Sequence, residues 1–157
     1  MRLYVMRHGP AEDRAPSGRD FDRALTQVGR AVVGRAARAL HGARAGAPVR
    51  VIASPLRRAR ETAELVAIEI GAGDPELHDD LAADAGLPLA LVRDVHAAGG
   101  DAILIGHQPT VEELVRVLVH PAQAALGAGL RTATIAALVH AEERWRLTVV
   151  IDPHALE

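Results

Sequence analysis

Leu3-Tyr4-Val5-Met6-Arg7-His8-Gly9 is the stretch that decides the fold. Four apolar residues run without interruption into an arginine, a histidine and a glycine, the pattern of a buried strand that ends at the rim of a sheet. In open α/β sheets the ligand lies in the crevice beyond the carboxyl ends of the strands, so side chains delivered there are candidates for function. Two later stretches repeat the arrangement. Val49 to Ala53 runs into Ser54-Pro55-Leu56-Arg57-Arg58, and Asp101 to Ile105 runs into Gly106-His107-Gln108-Pro109.

Working outward from these strand ends, Pro10 to Asp22 is rich in Pro, Gly, Asp and Arg and is predicted as a surface loop over the first of them. Asp20-Phe21-Asp22 within it is read as loop charge, since no buried strand precedes it. Thr26 is placed to cap a helix whose Val28, Val32, Val33, Ala36 and Leu40 share one arc, with Arg30, Arg35 and Arg38 on the other side. Gly42 to Pro48 ends it before the Val49 to Ala53 strand. A second helix from Leu56 to Ile70 turns Leu56, Ala59, Ala63, Val66 and Ile70 inward, with Arg58 in its first turn and away from that face.

Beyond the break at Gly71 to Pro75, Glu76 to Leu81 is predicted as a short strand and Ala82 to Gly86 as a loop. Pro88 suits the first turn of a third helix reaching Ala98, where Gly99-Gly100 stops it. The strand Asp101 to Ile105 is followed by a helix from Thr110 to Val119, with Val111, Leu114, Val115 and Leu118 inward. Pro121 to Gly129 is a small-residue connection, and Arg131 to His140 and Arg144 to Ile151 form a hairpin joined by Ala141-Glu142-Glu143. The alternation of strand and helix predicts an α/β fold: a three-layer α/β/α sandwich with a mostly parallel sheet and a C-terminal antiparallel hairpin, in a single domain over residues 1–157.

Composition narrows the chemistry. At 157 residues, 49% hydrophobic and 24% charged, the chain has the profile of a globular domain able to bury a core without staples. No apolar run approaches the length of a membrane span, and the residues before Arg7 are too few for a secretory signal, so the expectation is a cytoplasmic protein that binds no membrane. A net charge of −2 gives no reason to expect nucleic-acid binding. There is no cysteine, and all 18 basic residues are arginine. Cysteine-nucleophile phosphatases, thiol redox enzymes, cysteine-ligated zinc sites, P-loop ATPases and Schiff-base enzymes each lack an obligatory residue.

Converging strand ends would assemble Arg7, His8, Arg58 and His107: two guanidinium groups and two imidazoles, with no carboxylate in the same motifs. Such a cluster suits a dianion, because arginine presents a fork that matches phosphate oxygens bidentately. Paired histidines also suit a metal, but the neighbouring arginines repel a cation, and no metal or cofactor is expected. Ser54 reads as a helix-start residue, and Tyr4 and Trp145 as packing. His41, His78, His96, His120, His140 and His154 have no motif partner and read mostly as surface residues.

Arg7-His8-Gly9, Arg58-Ala59-x-x-Thr62-Ala63 and Gly106-His107 together resemble the histidine phosphatase superfamily, also called phosphoglycerate-mutase-like. Asp22-Arg23-Ala24-Leu25-Thr26-x-x-Gly29 extends the likeness over most of the chain. Compactness, the short loop after His8 and Gly106-His107-Gln108-Pro109 place the sequence near the SixA-type phosphohistidine phosphatases. The resemblance implies that His8 is the nucleophile and forms a phosphohistidine intermediate, with Arg7, Arg58 and His107 binding the phosphoryl oxygens. Nearby cations are expected to depress the pKa of His8 and keep it neutral.

The resemblance also implies an acid for the leaving group in the segment before the late strand. That segment offers Asp79, Asp80 and Asp84, of which Asp80 and Asp84 are the acid candidates, or else all are solvated loop carboxylates. A missing acid would suit a phosphoramidate, whose P–N bond breaks readily once the ring is protonated. The substrate implied is a phosphohistidine-bearing protein. A small phosphate ester is the alternative, a mutase is disfavoured by the short chain, and a silent phosphate-binding module would be expected to have lost His8.

Overall fold

β1 (Arg2–Arg7) is apolar on both faces, with Leu3 and Val5 turned to one side and Tyr4 and Met6 to the other, all four buried. Only a central strand covered by two layers satisfies that pattern. The computed structural model, which describes residues 1–119, 126–127 and 129–156, puts it there. With β2 (Val49–Ala53), β3 (Glu76–Leu77), β4 (Asp101–Gly106), β5 (Ile135–Ala141) and β6 (Arg144–Ile151) it forms one sheet in the order β3-β2-β4-β1-β5-β6. The first four of these are mutually parallel; β5 runs antiparallel to β1, and β6 antiparallel to β5.

Helices α1 (Gln27–Ala43) and α2 (Arg57–Ile70) cover the face that carries Tyr4, Met6, Val51, Ile103 and Ile105. Helices α3 (Leu89–Ala98) and α4 (Thr110–Leu118) cover the face of Leu3, Val5, Ile52 and Leu104. This is the three-layer α/β/α sandwich expected from the sequence. Truncating a fully buried residue such as Leu40 or Leu114 to alanine would cost about 2–5 kcal/mol, the usual range for a core cavity.

Local chemistry sets the helix ends. The Thr26 hydroxyl accepts a hydrogen bond from the Gly29 N–H at 2.9 Å and caps α1. Gly71, at φ 66°, closes α2 in a left-handed conformation that a side chain would resist. Four expectations need correction. Val28 lies on the exposed side of α1, since the helix buries Gly29, Val32, Val33, Ala36, Ala37 and Leu40 instead. Glu76 to Leu81 is strand for only two residues, after which Asp79–Leu81 tightens into a 3-10 turn; the polar run His78-Asp79-Asp80 breaks the alternation that a strand face needs. Leu118 is only half-buried at the end of α4.

Arg131 to His140 becomes strand only at Ile135, because Ala133 takes φ 60° and its N–H bonds back to the Arg7 and His8 carbonyls. Most of the Pro121 to Gly129 connection, with His120, lies outside the described residues. The hairpin turns on Glu142 and Glu143, both at positive φ, a two-residue geometry that usually selects Asn or Gly. The Pro10 to Asp22 loop carries two local fastenings: Ala11 bridges Leu25, and Asp20–Asp22 forms a 3-10 turn.

Register creates the site. Arg7 stands opposite Gly106 and Ala53 opposite Ile105, so β1, β2 and β4 end level. The His8 N–H donates to the Gly106 carbonyl and the Ser54 N–H to the Ile105 carbonyl, each at 3.0 Å. His8, Ser54 and His107 are therefore the first residues past the ends of three neighbouring strands.

Candidate active site

At this rim the structure brings Arg7, His8, Arg58 and His107 together. The rings of His8 and His107 are 5.1 Å apart, centroid to centroid, and both side chains are buried. His8 Nδ1 lies 2.7 Å from the carbonyl of Gly9. A carbonyl only accepts, so Nδ1 carries the proton and the lone pair is left on Nε2. That atom receives a hydrogen bond from Nε of Arg58 at 3.3 Å. Arg58 belongs to the first turn of α2, as expected, but it is buried against the site and not turned to solvent.

The rest of the Arg58 guanidinium is also engaged. Its two terminal nitrogens donate to the backbone carbonyl of Asp20 at 2.9 Å and to the Asp20 carboxylate at 3.1 Å. The same carboxylate accepts from Arg23 at 2.9 Å. By sequence Asp20 reads as loop charge and the cluster has no carboxylate; the fold supplies one from the loop that follows β1. Sequence offers only the weak signal of acid and base spaced three apart, Asp20 and Arg23, ahead of the first helix.

Ser54 is a second residue that the sequence reading undervalued. It is fully buried, its Oγ accepts from the Leu56 N–H at 3.2 Å, and it sits 2.8 Å from Nε2 of His107. Thr62, one turn beyond Arg58, accepts from the Gly9 N–H at 3.1 Å and donates to the Arg58 carbonyl at 2.7 Å, so one hydroxyl joins β1 to α2 beside the site. A terminal nitrogen of Arg7 reaches the Leu130 carbonyl at 3.4 Å. The N–H of Leu130 is held in turn by Glu112 of α4, which also accepts from Gln108.

Nε of Arg7 and Nδ1 of His107 are among the buried polar atoms that have no hydrogen-bond partner among the described residues. Buried orphans are rare in folded proteins, and these two belong to the residue before His8 and to the imidazole that packs beside it. Burial pushes the pKa of His8 down to about 4, with the Arg58, Arg7 and Arg23 charges as smaller contributions in the same direction and the Gly9 bond opposing them. The sequence reading credited the cations alone; desolvation is the larger cause. His107 is pushed down to about 3, again first by burial and then by His8 and Arg58. Both imidazoles are neutral above mildly acidic pH.

The acid candidates stand apart from this cluster. Asp79 and Asp80 occupy the exposed 3-10 turn after β3, where the Asp80 N–H bonds to Nδ1 of His78, and Asp84 lies in the exposed turn that follows. Among the described residues no hydrogen bond or ion pair joins any of them to the four site residues. No group of three or more His, Asp or Glu side chains is arranged to share a metal ion among the described residues either. His96 and His140 pair at 3.2 Å beside Trp145, on elements that carry them to the opposite end of the sheet. No helix among the described residues is long and apolar enough to cross a membrane.

A family model described as the histidine phosphatase superfamily (branch 1) matches residues 3–85, a span that includes Arg7, His8 and Arg58 but not His107. An uncharacterized protein of Picosynechococcus sp. is 36% identical over 117 residues, covering 72% of this chain and 70% of that protein. A structure of the protein histidine phosphatase SixA complexed with tungstate superimposes with a TM-score of 0.86 at 25% identity, covering all of both chains. A candidate SixA phosphohistidine phosphatase from Agrobacterium tumefaciens gives 0.80 at 28% identity, over 95% of this chain and 96% of that one.

Proposed function

The chain belongs to the histidine phosphatase superfamily (branch 1), and from that premise we propose that it is a metal-independent phosphatase that acts on phosphohistidine in a protein. The observation that carries this reading is the state of His8: neutral, its tautomer fixed by the Gly9 carbonyl, and its Nε2 lone pair unprotonated and oriented by Arg58. A neutral imidazole is a nucleophile, and an imidazolium is not.

In the proposed reaction Nε2 of His8 attacks phosphorus in line with the leaving group. The new N–P bond forms as the bond to the leaving nitrogen breaks, and that nitrogen keeps the electron pair. Water then attacks the phosphohistidine, gives inorganic phosphate and returns the lone pair to His8. Phosphoryl transfer passes through a loose transition state, so the protein's contribution is positioning and stabilising charge on the equatorial oxygens. Arg58, Nε of Arg7 and Nδ1 of His107 are the donors for those oxygens in this reading. For His107 to donate from Nδ1, its Nε2 must accept, and the Ser54 hydroxyl, already accepting from Leu56, has its proton free to give.

Among the described residues Asp79, Asp80 and Asp84 make no hydrogen bond or ion pair with the site, and Asp20, its pKa lowered, is no proton donor; this supports a phosphoramidate over an ester, since an alkoxide leaves poorly without one. The test is phosphate release in the presence of a chelator from a phosphohistidine peptide and from sugar and aryl phosphates, with His8→Ala beside the wild type. Release chiefly from the peptide, lost in the variant, is the expected result. Preference for an ester would move the substrate to a small metabolite and bring Asp79, Asp80 and Asp84 back as acids. Release from nothing would leave a phosphate-binding module.

A further inference from the structure

The carboxylate of Asp20 is separated from the nucleophile by a single guanidinium: Arg58 donates to His8 through Nε and to Asp20 through a terminal nitrogen. Its backbone carbonyl accepts from the other terminal nitrogen, which fixes the residue at the mouth of the site and not merely near it. Yet the side chain remains more than half exposed, so the carboxylate, although it accepts from Arg23 and Arg58, stays open to a further donor. The groups that face it are Arg58 from α2 and Arg23 from its own loop, with His8 and His107 beyond Arg58; the neighbouring Asp22 is occupied by Arg19 and Ser17.

A carboxylate at the mouth of a dianion site is unfavourable for an anionic ligand unless it serves the leaving group. Phosphohistidine has what an ester lacks, a second ring nitrogen remote from phosphorus. When that nitrogen is protonated the ring departs as neutral imidazole: the P–N electron pair returns to the leaving nitrogen, and the proton stays where it was. No acid need deliver a proton at the bond that breaks. The ring must only be kept protonated until it leaves.

We propose that Asp20 accepts a hydrogen bond from the remote ring nitrogen of the substrate's phosphohistidine, holding it in the protonated form from which the P–N bond cleaves. This rests on the phosphohistidine reading above and deepens it. Arg23 and Arg58 hold the Asp20 carboxyl below its usual range, so it is ionised throughout the working range and acts as an acceptor, not a donor. Asp20 would thereby favour phosphoramidates of heteroaromatic rings over phosphate esters.

The experiment compares wild type, Asp20→Asn and Asp20→Glu on a phosphohistidine peptide and on para-nitrophenyl phosphate across a pH series. Asp20→Asn keeps the shape and the backbone contact to Arg58. It is expected to lower the ratio of peptide to aryl-phosphate turnover by roughly 10- to 100-fold, the usual range for losing one well-placed hydrogen bond to a charged group. It should also move the alkaline limb of the peptide kcat profile to lower pH, because the bound ring then loses its proton sooner. Asp20→Glu should restore part of both. Equal losses on the two substrates with unmoved limbs would mean that Asp20 only positions Arg58, and would overturn the proposal. A wild type that hydrolyses the aryl phosphate but not the peptide would overturn the phosphohistidine reading itself, and this proposal with it.

Discussion

Nε of Arg58 donates to Nε2 of His8 at 3.3 Å, so the cation that would bind the phosphoryl group is also the one that orients the lone pair expected to attack it. Lysine cannot do both, since it has neither the fork nor the reach to Asp20. Arg58→Lys is expected to lower kcat/KM by roughly 100- to 1,000-fold, comparable to removing one transition-state donor, with the fold intact by circular dichroism. Steady-state kinetics on the best substrate checks it; a loss under threefold would remove Arg58 from the machinery.

Ser54→Ala leaves Nε2 of His107 without its hydroxyl partner and the Leu56 N–H without its acceptor. If Ser54 sets the tautomer of His107, kcat falls roughly 10-fold or more while KM changes little, because the lost donor matters most when charge develops. A change in KM alone would assign Ser54 to binding or structure.

Burial pushes His8 down to about 4 and His107 down to about 3, from the 6.5 of an ordinary imidazole. Between 6.5 and those values the unfolded chain takes up protons that the native protein refuses, so stability falls as pH drops through this window and is unaffected by these groups above it. The urea midpoint should decline on acidification, and the His8 ring signals in NMR should stay at their neutral positions down to about pH 5, as its lowered pKa requires. His8 protonating near its ordinary value would be incompatible with a neutral nucleophile at that position.

Gly29 has no room for a side chain, since an added Cβ would lie 1.9 Å from the carbonyl oxygen of Pro10. Both groups are backbone, so neither can swing aside. Gly29→Ala should cost at least about 2 kcal/mol, or roughly 4–8 °C in Tm, and loosen the loop that carries Asp20. Thermal unfolding measures it.

Thr62→Val keeps the volume but strands the Gly9 N–H, which is buried and donates to Thr62. An unsatisfied buried donor costs about 1–3 kcal/mol. Activity should fall further than stability alone explains, because Gly9 supplies the carbonyl that fixes His8. Comparing the denaturant midpoint with kcat below the transition separates the two effects.

The sequence by itself determined the sandwich, the cap at Thr26, the stop at Gly71 and that Arg7, His8, Arg58 and His107 meet at one rim of the sheet, because each rests on a local pattern: an apolar run, a helical period or a motif at a strand end. It misjudged Val28, the length of the strand at Glu76 and the start of the one at Ile135, where no pattern fixes the boundary and packing decides. Only the tertiary structure decided what surrounds the four. Asp20 meets Arg58 across 38 positions and Ser54 meets His107 across 53, contacts that exist because three strands end level and a loop folds back over them. The same burial, which no local window reveals, sets the protonation of both histidines: taking an imidazole out of water penalises its charged form more than the neighbouring arginines do.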